Sequence, residues 1–298
     1  MVRLTLILLL SMFLAAPLSG GAAVWTDAMD RQVELPATPQ RIVSLVPSVT
    51  EILFALGAGD RLVGATRYGT YPPAARALPR VGDYGDPNLE VVALLNPDLV
   101  LLAADAASPA LLARIEALGI AAYVVYPKDI AETLATIRRL GRILARPEAG
   151  ARVAAELESK LAAVRRTAAG RPRPSVLFCV MTEPLVVAGP GTLIDDLIRV
   201  AGGRNVVPAG AMRYPTWNLE SLLAADPDLI VASVHPGQAE PAELAAAWPE
   251  LTAARHRRIV TIEPDWVSRP GPRLALGAEA LQKIFQDSVA AAGDKGSP

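Results

Sequence analysis

The stretch at residues 88–99 reads NLEVVALLNPDL, and the stretch at residues 218–229 reads NLESLLAADPDL, with every matched position offset by 130. In both copies an acidic residue lies at the start of a short helical stretch, Pro-Asp ends it, and an apolar run typical of a buried strand follows. A period of 130 is too long for a solenoid, whose repeats span about 20–50 residues. The repeat predicts two lobes of the same architecture with a cleft between them.

The rest of the chain fits this organisation. Its 298 residues allow about two domains, and apolar strand-like runs alternate with helical stretches, which favours parallel α/β layers. A helical stretch begins at Pro147 and is stopped by Gly170 and Pro172. We therefore predict an α/β fold of two similar lobes joined by one long α-helix, with the ligand cleft between the lobes. The expected domains are a signal peptide at 1–23, an N-terminal lobe at 24–146, the connecting helix at 147–170, a C-terminal lobe at 171–292 and a disordered tail at 293–298.

The N-terminus predicts export. Arg3 precedes an apolar run at residues 4–18, and small residues at 21–23 suit cleavage. The apolar run is shorter than the about 20 residues that a membrane-spanning helix needs. Because the single cysteine, Cys179, lies far from this segment, we expect a cleaved signal peptide, no lipid anchor and a periplasmic location.

The composition argues against several function classes. The formal net charge of −1 does not favour nucleic acid as a partner. The sequence has no Gly-x-Ser-x-Gly motif, no clustered metal-ligating residues and no phosphate-binding loop. We therefore expect no enzyme activity, no metal site and no cofactor. The spacing of Ser48 and Glu51 is that of a helix capping box.

Aromatic residues are few, at 5% of the chain, and several lie in loops at the ends of α/β elements, where open sheets bind ligands. Tyr68, Tyr84 and Tyr214 are predicted to contact a ligand because they lie in loops of both lobes. Tyr71, beside two prolines, is interpreted as a packing residue.

Several motifs carry a family resemblance. They are the stretch 41–51 (RIVSLVPSVTE), the loop 68–73 (YGTYPP), the two repeat segments, the stretch 201–206 (AGGRNV) and the stretch 265–273 (DWVSRPGPR). Together they resemble the periplasmic substrate-binding proteins of ABC importers, in the helical-backbone subgroup that serves cobalamin, iron-siderophore and haem uptake. The likeness covers about residues 41–285, and the loop 68–73 and the stretch 265–273 are most similar to the cobalamin carriers.

The resemblance implies a set of ligand-binding residues. Tyr68, Tyr84 and Tyr214 would line the corrinoid cleft, Asp265 and Arg269 would hydrogen-bond the polar edge of the ligand, and Trp266 would support that loop or contact the ligand. Cobalamin carriers have Trp at the positions of Tyr84 and Tyr214. A tyrosine keeps the aromatic face and adds a hydroxyl, so a haem or ferric-siderophore carrier is the alternative. An exported α/β enzyme is a remote third reading.

The resemblance also implies a partner. Glu90 and Glu220 match the carboxylates with which such proteins dock onto the two permease subunits of the importer. The alternative is that each glutamate only favours its helix N-terminus, which contributes about 0.3–1 kcal/mol. The expected molecule is a monomer that carries cobalamin to a permease dimer.

Overall fold

The computed structural model describes residues 22–233 and 240–293. The predicted signal peptide falls almost wholly on residues 1–21, and most of the predicted tail on residues 294–298, so both lie outside the described residues. Within the described ranges, no helix combines the length and the apolar character that crossing a membrane requires.

The first lobe is a parallel sheet with helices. Its strands are β1 (Ala23–Thr26), β2 (Gln32–Leu35), β3 (Ile42–Ser44), β4 (Leu62–Ala65), β5 (Leu99–Ala103) and β6 (Ala121–Val125). Its helices are α1 (Pro47–Ala55), α2 (Leu89–Leu94), α3 (Pro109–Ala117) and α4 (Ile130–Ile143). The sheet has the order β4-β3-β5-β6 with every pair parallel, and β1 and β2 form a separate antiparallel pair.

A long helix follows, α5 (Pro147–Ala168), and it leads into the second lobe. The strands there are β7 (Ser175–Met181), β8 (Val186–Val187), β9 (Arg204–Asn205), β10 (Leu229–Ala232) and β11 (Ile259–Thr261). The helices are α6 (Leu193–Val200), α7 (Leu219–Ala225), α8 (Pro241–Ala247), α9 (Thr252–Arg255), α10 (Pro264–Ser268) and α11 (Leu274–Gly293). The parallel strands have the order β9-β7-β10-β11, and β8 adds an antiparallel pairing to β7. The two lobes therefore share one strand order.

The repeat has a local structural cause. The side chains of Asn88 and Asn218 cap α2 and α7 by accepting hydrogen bonds from backbone N–H groups of the first turn. Asp98 accepts hydrogen bonds from the backbone N–H groups of Gln40 and Arg41, just before β3, at 2.7 and 3.1 Å. Asp228 accepts in the same way from the backbone N–H of Ser175 at the start of β7, at 2.8 Å. In each lobe the Pro-Asp pair thus ties the strand that follows it to the start of the central strand.

Helix α5 packs on both lobes. Gly141 of α4 and Gly150 of α5 meet at close range: a Cβ built on Gly141 would lie 2.8 Å from the Cα of Gly150. Glycine lets the two backbones approach because it has no side chain. One continuous apolar cluster includes Leu53 of the first lobe, Leu157 of α5 and Leu197 of the second lobe. The helix is therefore part of one core and not a free tether.

Candidate functional site

A cavity of about 630 Å³ lies between the two lobes. This volume falls within the range of about 300–1,000 Å³ that small-molecule sites occupy. Its wall is built from residues that follow strand ends, among them Tyr68 after β4, Asp105 after β5, Tyr126 after β6 and Tyr214 after β9. The carboxyl ends of parallel strands meet at one edge of each sheet, so the matching strand order of the lobes brings the two edges to one cleft.

Tyrosines dominate this wall. Four of the six tyrosines in the chain line the cavity, and they are Tyr68, Tyr84, Tyr126 and Tyr214. Tyr68 and Tyr214 are each 47% exposed, so their rings remain free to cover an apolar ligand. The prediction that loops of both lobes place Tyr68, Tyr84 and Tyr214 together at one cleft agrees with this geometry. Their contact with a ligand stays a prediction.

Tyr84 has a fixed hydroxyl. Its O–H donates to Oδ1 of Asp105 at 2.6 Å. Burial raises the pKa of Tyr84 well above its ordinary value, and the bond to Asp105 and the charge of that carboxylate raise it further. Burial also raises the pKa of Tyr214, although the charge of Arg213 opposes this. Both side chains are therefore phenols at neutral pH, and neither is prepared as a phenolate.

Helix α10 supplies the charged part of the wall. Asp265, Ser268 and Arg269 line the cavity, because residues at spacings of three and four share one face of a helix. Trp266 does not line it. The next position along a helix points to another side, and the backbone carbonyl of Trp266 instead lies against Gly277 of α11. Which of the two roles Trp266 has, support of this loop or contact with the ligand, stays a prediction.

Glu51 joins the lobes. Its carboxylate is buried and accepts from Arg273 Nε at 2.7 Å and Nη2 at 2.6 Å, and from Arg269 Nη1 at 3.2 Å. Asp265 completes the group through Arg269 at 2.7 Å and Arg273 at 3.2 Å. We call these four residues the interlobe cluster. Burial alone would lower the pKa of Arg273, but the hydrogen bonds and charge of Glu51 outweigh it, so this pKa is raised.

The capping-box interpretation of Ser48 and Glu51 was therefore wrong. Helix α1 begins one residue before Ser48, at Pro47, after Val46, and no side chain caps it. Glu51 lies inside the helix, where its carboxylate can reach across the cleft to the other lobe. Tyr71 has the packing role predicted for it, since its ring lies under the Arg273 guanidinium at 4.3 Å from ring centre to carbon.

Sequence reasoning missed several residues of the wall, among them Asp105, Tyr126 and Lys128. Each of these three comes within three residues of the end of a parallel strand. The available signal was this position after β5 and β6, because residues just beyond the carboxyl ends of parallel strands are the usual ligand contacts of open sheets.

The two glutamates of the repeat lie on the surface. Glu90 is in the first turn of α2 and Glu220 in the first turn of α7, and both are exposed. Since α2 precedes β5 and α7 precedes β10, the two carboxylates occupy corresponding places in lobes of the same strand order.

Comparison with known proteins identifies the family of this chain. The model of a family described as periplasmic binding protein matches residues 42–266, which is most of the chain. The chain belongs to this family. This periplasmic binding protein shares 32% identity over 256 residues with the vitamin B12-binding protein of Photorhabdus laumondii, a match that covers 85% of this chain and 90% of the relative.

Two solved structures share the fold of this periplasmic binding protein. The periplasmic vitamin B12-binding protein of Vibrio cholerae superposes with a TM-score of 0.72 at 28% identity, over 84% of this chain and 98% of the other. The periplasmic heme-binding protein of Roseiflexus sp. RS-1, in its apo form, superposes with a TM-score of 0.75 at 32% identity. The match covers 84% of this chain and 98% of the other. The expected family and the two-lobe α/β fold are confirmed, and the relatives bind two different tetrapyrroles.

Proposed function

We propose that this protein captures cobalamin or a related corrinoid in the interlobe cleft and delivers it to an ABC importer. The observation that carries the proposal is the cavity of about 630 Å³ with tyrosine rings from both lobes and the polar pair Asp265 and Arg269 on its wall. Aromatic faces bury a large flat ligand, and a few polar groups fix its orientation. The B12-binding relatives support this ligand class. The role is binding, in keeping with the family, and the ligand is cargo and not a cofactor.

A haem carrier is the second candidate, and the heme-binding structural relative favours it. A tyrosine that ligates haem iron does so best as a phenolate. Burial raises the pKa of both Tyr84 and Tyr214, and the Tyr84 hydroxyl is already donated to Asp105. To ligate iron, the Tyr84 hydroxyl would have to leave its bond to Asp105, whereas its ring can cover a corrin without this loss, which supports the corrinoid.

A ferric-siderophore carrier would need free cations for an anionic ligand. Arg67 is paired with Asp83, with Nη2 to Oδ2 at 2.6 Å, and Arg269 is paired within the interlobe cluster. Two of the three arginines near the cleft loops are thus neutralised, which weakens this alternative.

The exported location and the docking step belong to the same proposal. Residues 1–23 act as the signal peptide, and the mature monomer presents Glu90 and Glu220 to the two subunits of a permease dimer. Two exposed carboxylates at corresponding places suit a two-fold symmetric partner, and such charges set register and encounter rate more than affinity.

The first experiment is calorimetric titration of residues 24–298 with cyanocobalamin, haemin and a ferric siderophore. Saturable one-to-one binding of cyanocobalamin alone is expected. Binding of haemin or the siderophore without cyanocobalamin would overturn the ligand assignment and leave the transport role in place.

A further inference from the structure

The charged side chains on the cavity wall leave an excess of positive charge. The interlobe cluster contains two cations, Arg269 and Arg273, and two anions, Glu51 and Asp265, so it is neutral as a group. The remaining charged residues of the wall are Asp105, Lys128 and Arg213. Their sum is positive, and Asp105 already accepts the hydrogen bond of Tyr84.

A direct contact holds Lys128 and Arg213 together. Lys128 follows β6 in the first lobe, and Arg213 lies in the loop that follows β9 in the second. Arg213 Nη2 donates to the backbone carbonyl of Lys128 at 3.0 Å. This bond brings two cations from facing lobes to one part of the wall. We call the two side chains the cationic pair.

The acidic residues near the cationic pair are engaged elsewhere. Glu132 accepts the backbone N–H of Lys128 at 2.8 Å, and Asp196 accepts from the backbone N–H of Ile130 and from Arg199. Within residues 22–233 and 240–293, no carboxylate lies within ion-pair distance of either member of the pair. The Lys128 ammonium lies over the ring of Tyr126, at 5.8 Å from the ring centre.

The arginine of the pair is incompletely hydrogen-bonded. Its Nε is shut off from solvent and has no hydrogen-bond partner among the described residues. A guanidinium forms its strongest hydrogen bonds with a carboxylate or phosphate that accepts two of them. An anion beside Arg213 and Lys128 would balance the net positive charge of this part of the wall.

We propose that Lys128 and Arg213 form an anion subsite that receives a phosphate or carboxylate group of the cleft ligand. This inference rests on the proposed function, because it requires a ligand in the cleft. The shared chemistry is a single anionic group at the edge of a large apolar ring. Cobalamin supplies it as the phosphodiester of its nucleotide arm, and haem supplies it as propionates.

Two ligand pairs vary the anionic group. Cobinamide keeps the corrin ring of cobalamin and lacks its nucleotide arm, which includes the phosphodiester, and haemin dimethyl ester keeps the haem ring and lacks the propionate charges. The variant is Lys128→Met, which removes the ammonium and keeps the backbone carbonyl that Arg213 contacts. Lys160→Met is the control, because Lys160 is exposed on α5 and lies outside the cavity wall.

Calorimetric titration of wild type and both variants with all four ligands gives the test. In a pair that binds, Lys128→Met should weaken binding of the ligand that carries the phosphodiester or propionates by about tenfold, the equivalent of one lost charge-assisted hydrogen bond. Binding of the ligand that lacks these groups should change by less than about twofold. Lys160→Met should change neither. Added salt should weaken wild-type binding of the ligand that carries these groups more than that of the ligand that lacks them.

The outcomes separate the two proposals. Equal losses for both members of a bound pair would overturn the anion subsite and leave the proposed function intact. Failure of wild type to bind any of the four ligands would overturn the proposed function, and the subsite with it.

Discussion

The carboxylate of Glu51 belongs to a residue that is 3% exposed, and it accepts hydrogen bonds from two arginines of the other lobe. Burying charges is costly, and only a well-bonded group compensates for the cost. Loss of the carboxylate would leave Arg269 and Arg273 with Asp265 alone. Since Arg269 and Asp265 line the cavity, this one residue affects both the stability of the fold and the shape of the site.

Glu51→Gln should therefore lower the free energy of unfolding by about 3 kcal/mol, because removing one partner leaves a buried charge without compensation. Denaturant titration measures this loss, and ligand titration should show weaker binding as Arg269 moves. Glu279→Gln, at an exposed position on α11, makes the same charge change and should have almost no effect. Equal stability of both variants would show that the interlobe cluster makes no net contribution to the free energy of unfolding.

Tyr84→Phe tests what the phenol does. The ring stays, so cobalamin affinity should remain within about threefold of wild type, the size of one net neutral hydrogen bond. Tyr84→Ala should weaken binding by about tenfold, because the aromatic contact is lost. If haemin binds, its absorption spectrum should be the same in wild type and Tyr84→Phe. A changed spectrum would identify Tyr84 as an iron ligand and favour the haem carrier.

Among the elements, helix α5 depends most on the close approach of its backbone to that of α4. Gly141 and Gly150 allow α4 and α5 to meet without side chains between them. A β-branched residue at this crossing would push against backbone atoms of the partner helix, and backbone cannot move aside as a flexible side chain can.

Gly141→Val should therefore destabilise the protein by about 1–3 kcal/mol through overpacking. Ala163→Val, at an exposed position of α5, introduces the same residue without a packing partner and should cost only the difference in helix propensity, well below 1 kcal/mol. Thermal unfolding of both variants measures the contrast. An unchanged midpoint of thermal unfolding for Gly141→Val would show that the two helices can move apart without loss of stability.

The long and regular elements were predictable. Helix α5 begins at Pro147 as predicted and ends at Ala168, two residues before the predicted end, because proline and glycine mark both ends. The two-residue strands β8 and β9 have no periodicity to detect, and the strands β1 and β2 are only four residues each. Such short strands are defined by the neighbours they pair with, which sequence patterns do not report.

The site was predictable only in part, for a related reason. Tyrosines in loops after strands are conspicuous in a chain with few aromatics, so Tyr68, Tyr84 and Tyr214 were found. The role of Glu51 depends on Arg273, 222 positions away in the sequence. No local spacing carries that information, and a capping motif at the same residues offered a simpler but incorrect explanation.

On the scale of the whole molecule, one apolar core runs through both lobes and α5. The interlobe cluster and the bond from Arg213 to Lys128 add polar contacts across the cleft. A packed helix and these contacts favour small changes of cleft width over a wide hinge movement. Small-angle scattering with and without a bound ligand should show nearly the same radius of gyration, and a large decrease on binding would contradict this.

The docking proposal makes a prediction at the same scale. The double variant Glu90→Ala and Glu220→Ala should keep ligand affinity within about twofold and abolish importer-dependent uptake, because the carboxylates lie on the surface and outside the cavity wall. Uptake by reconstituted transporter measures the effect. Glu148→Ala, also exposed in the first turn of a helix, controls for a simple helix-dipole effect. Normal uptake by the double variant would refute the docking role.

The two lobes share one strand order and carry surface glutamates at corresponding places. This affects the orientations in which the protein can meet a partner. A partner made of two identical subunits presents the same pair of contact points after half a turn, and under the docking proposal Glu90 and Glu220 would each fit either subunit. A carrier arriving in one orientation or in its reverse would thus be equally productive. A binding protein of unlike lobes could offer a matching contact to only one of the two subunits, whereas the two lobes of this protein could meet both at once.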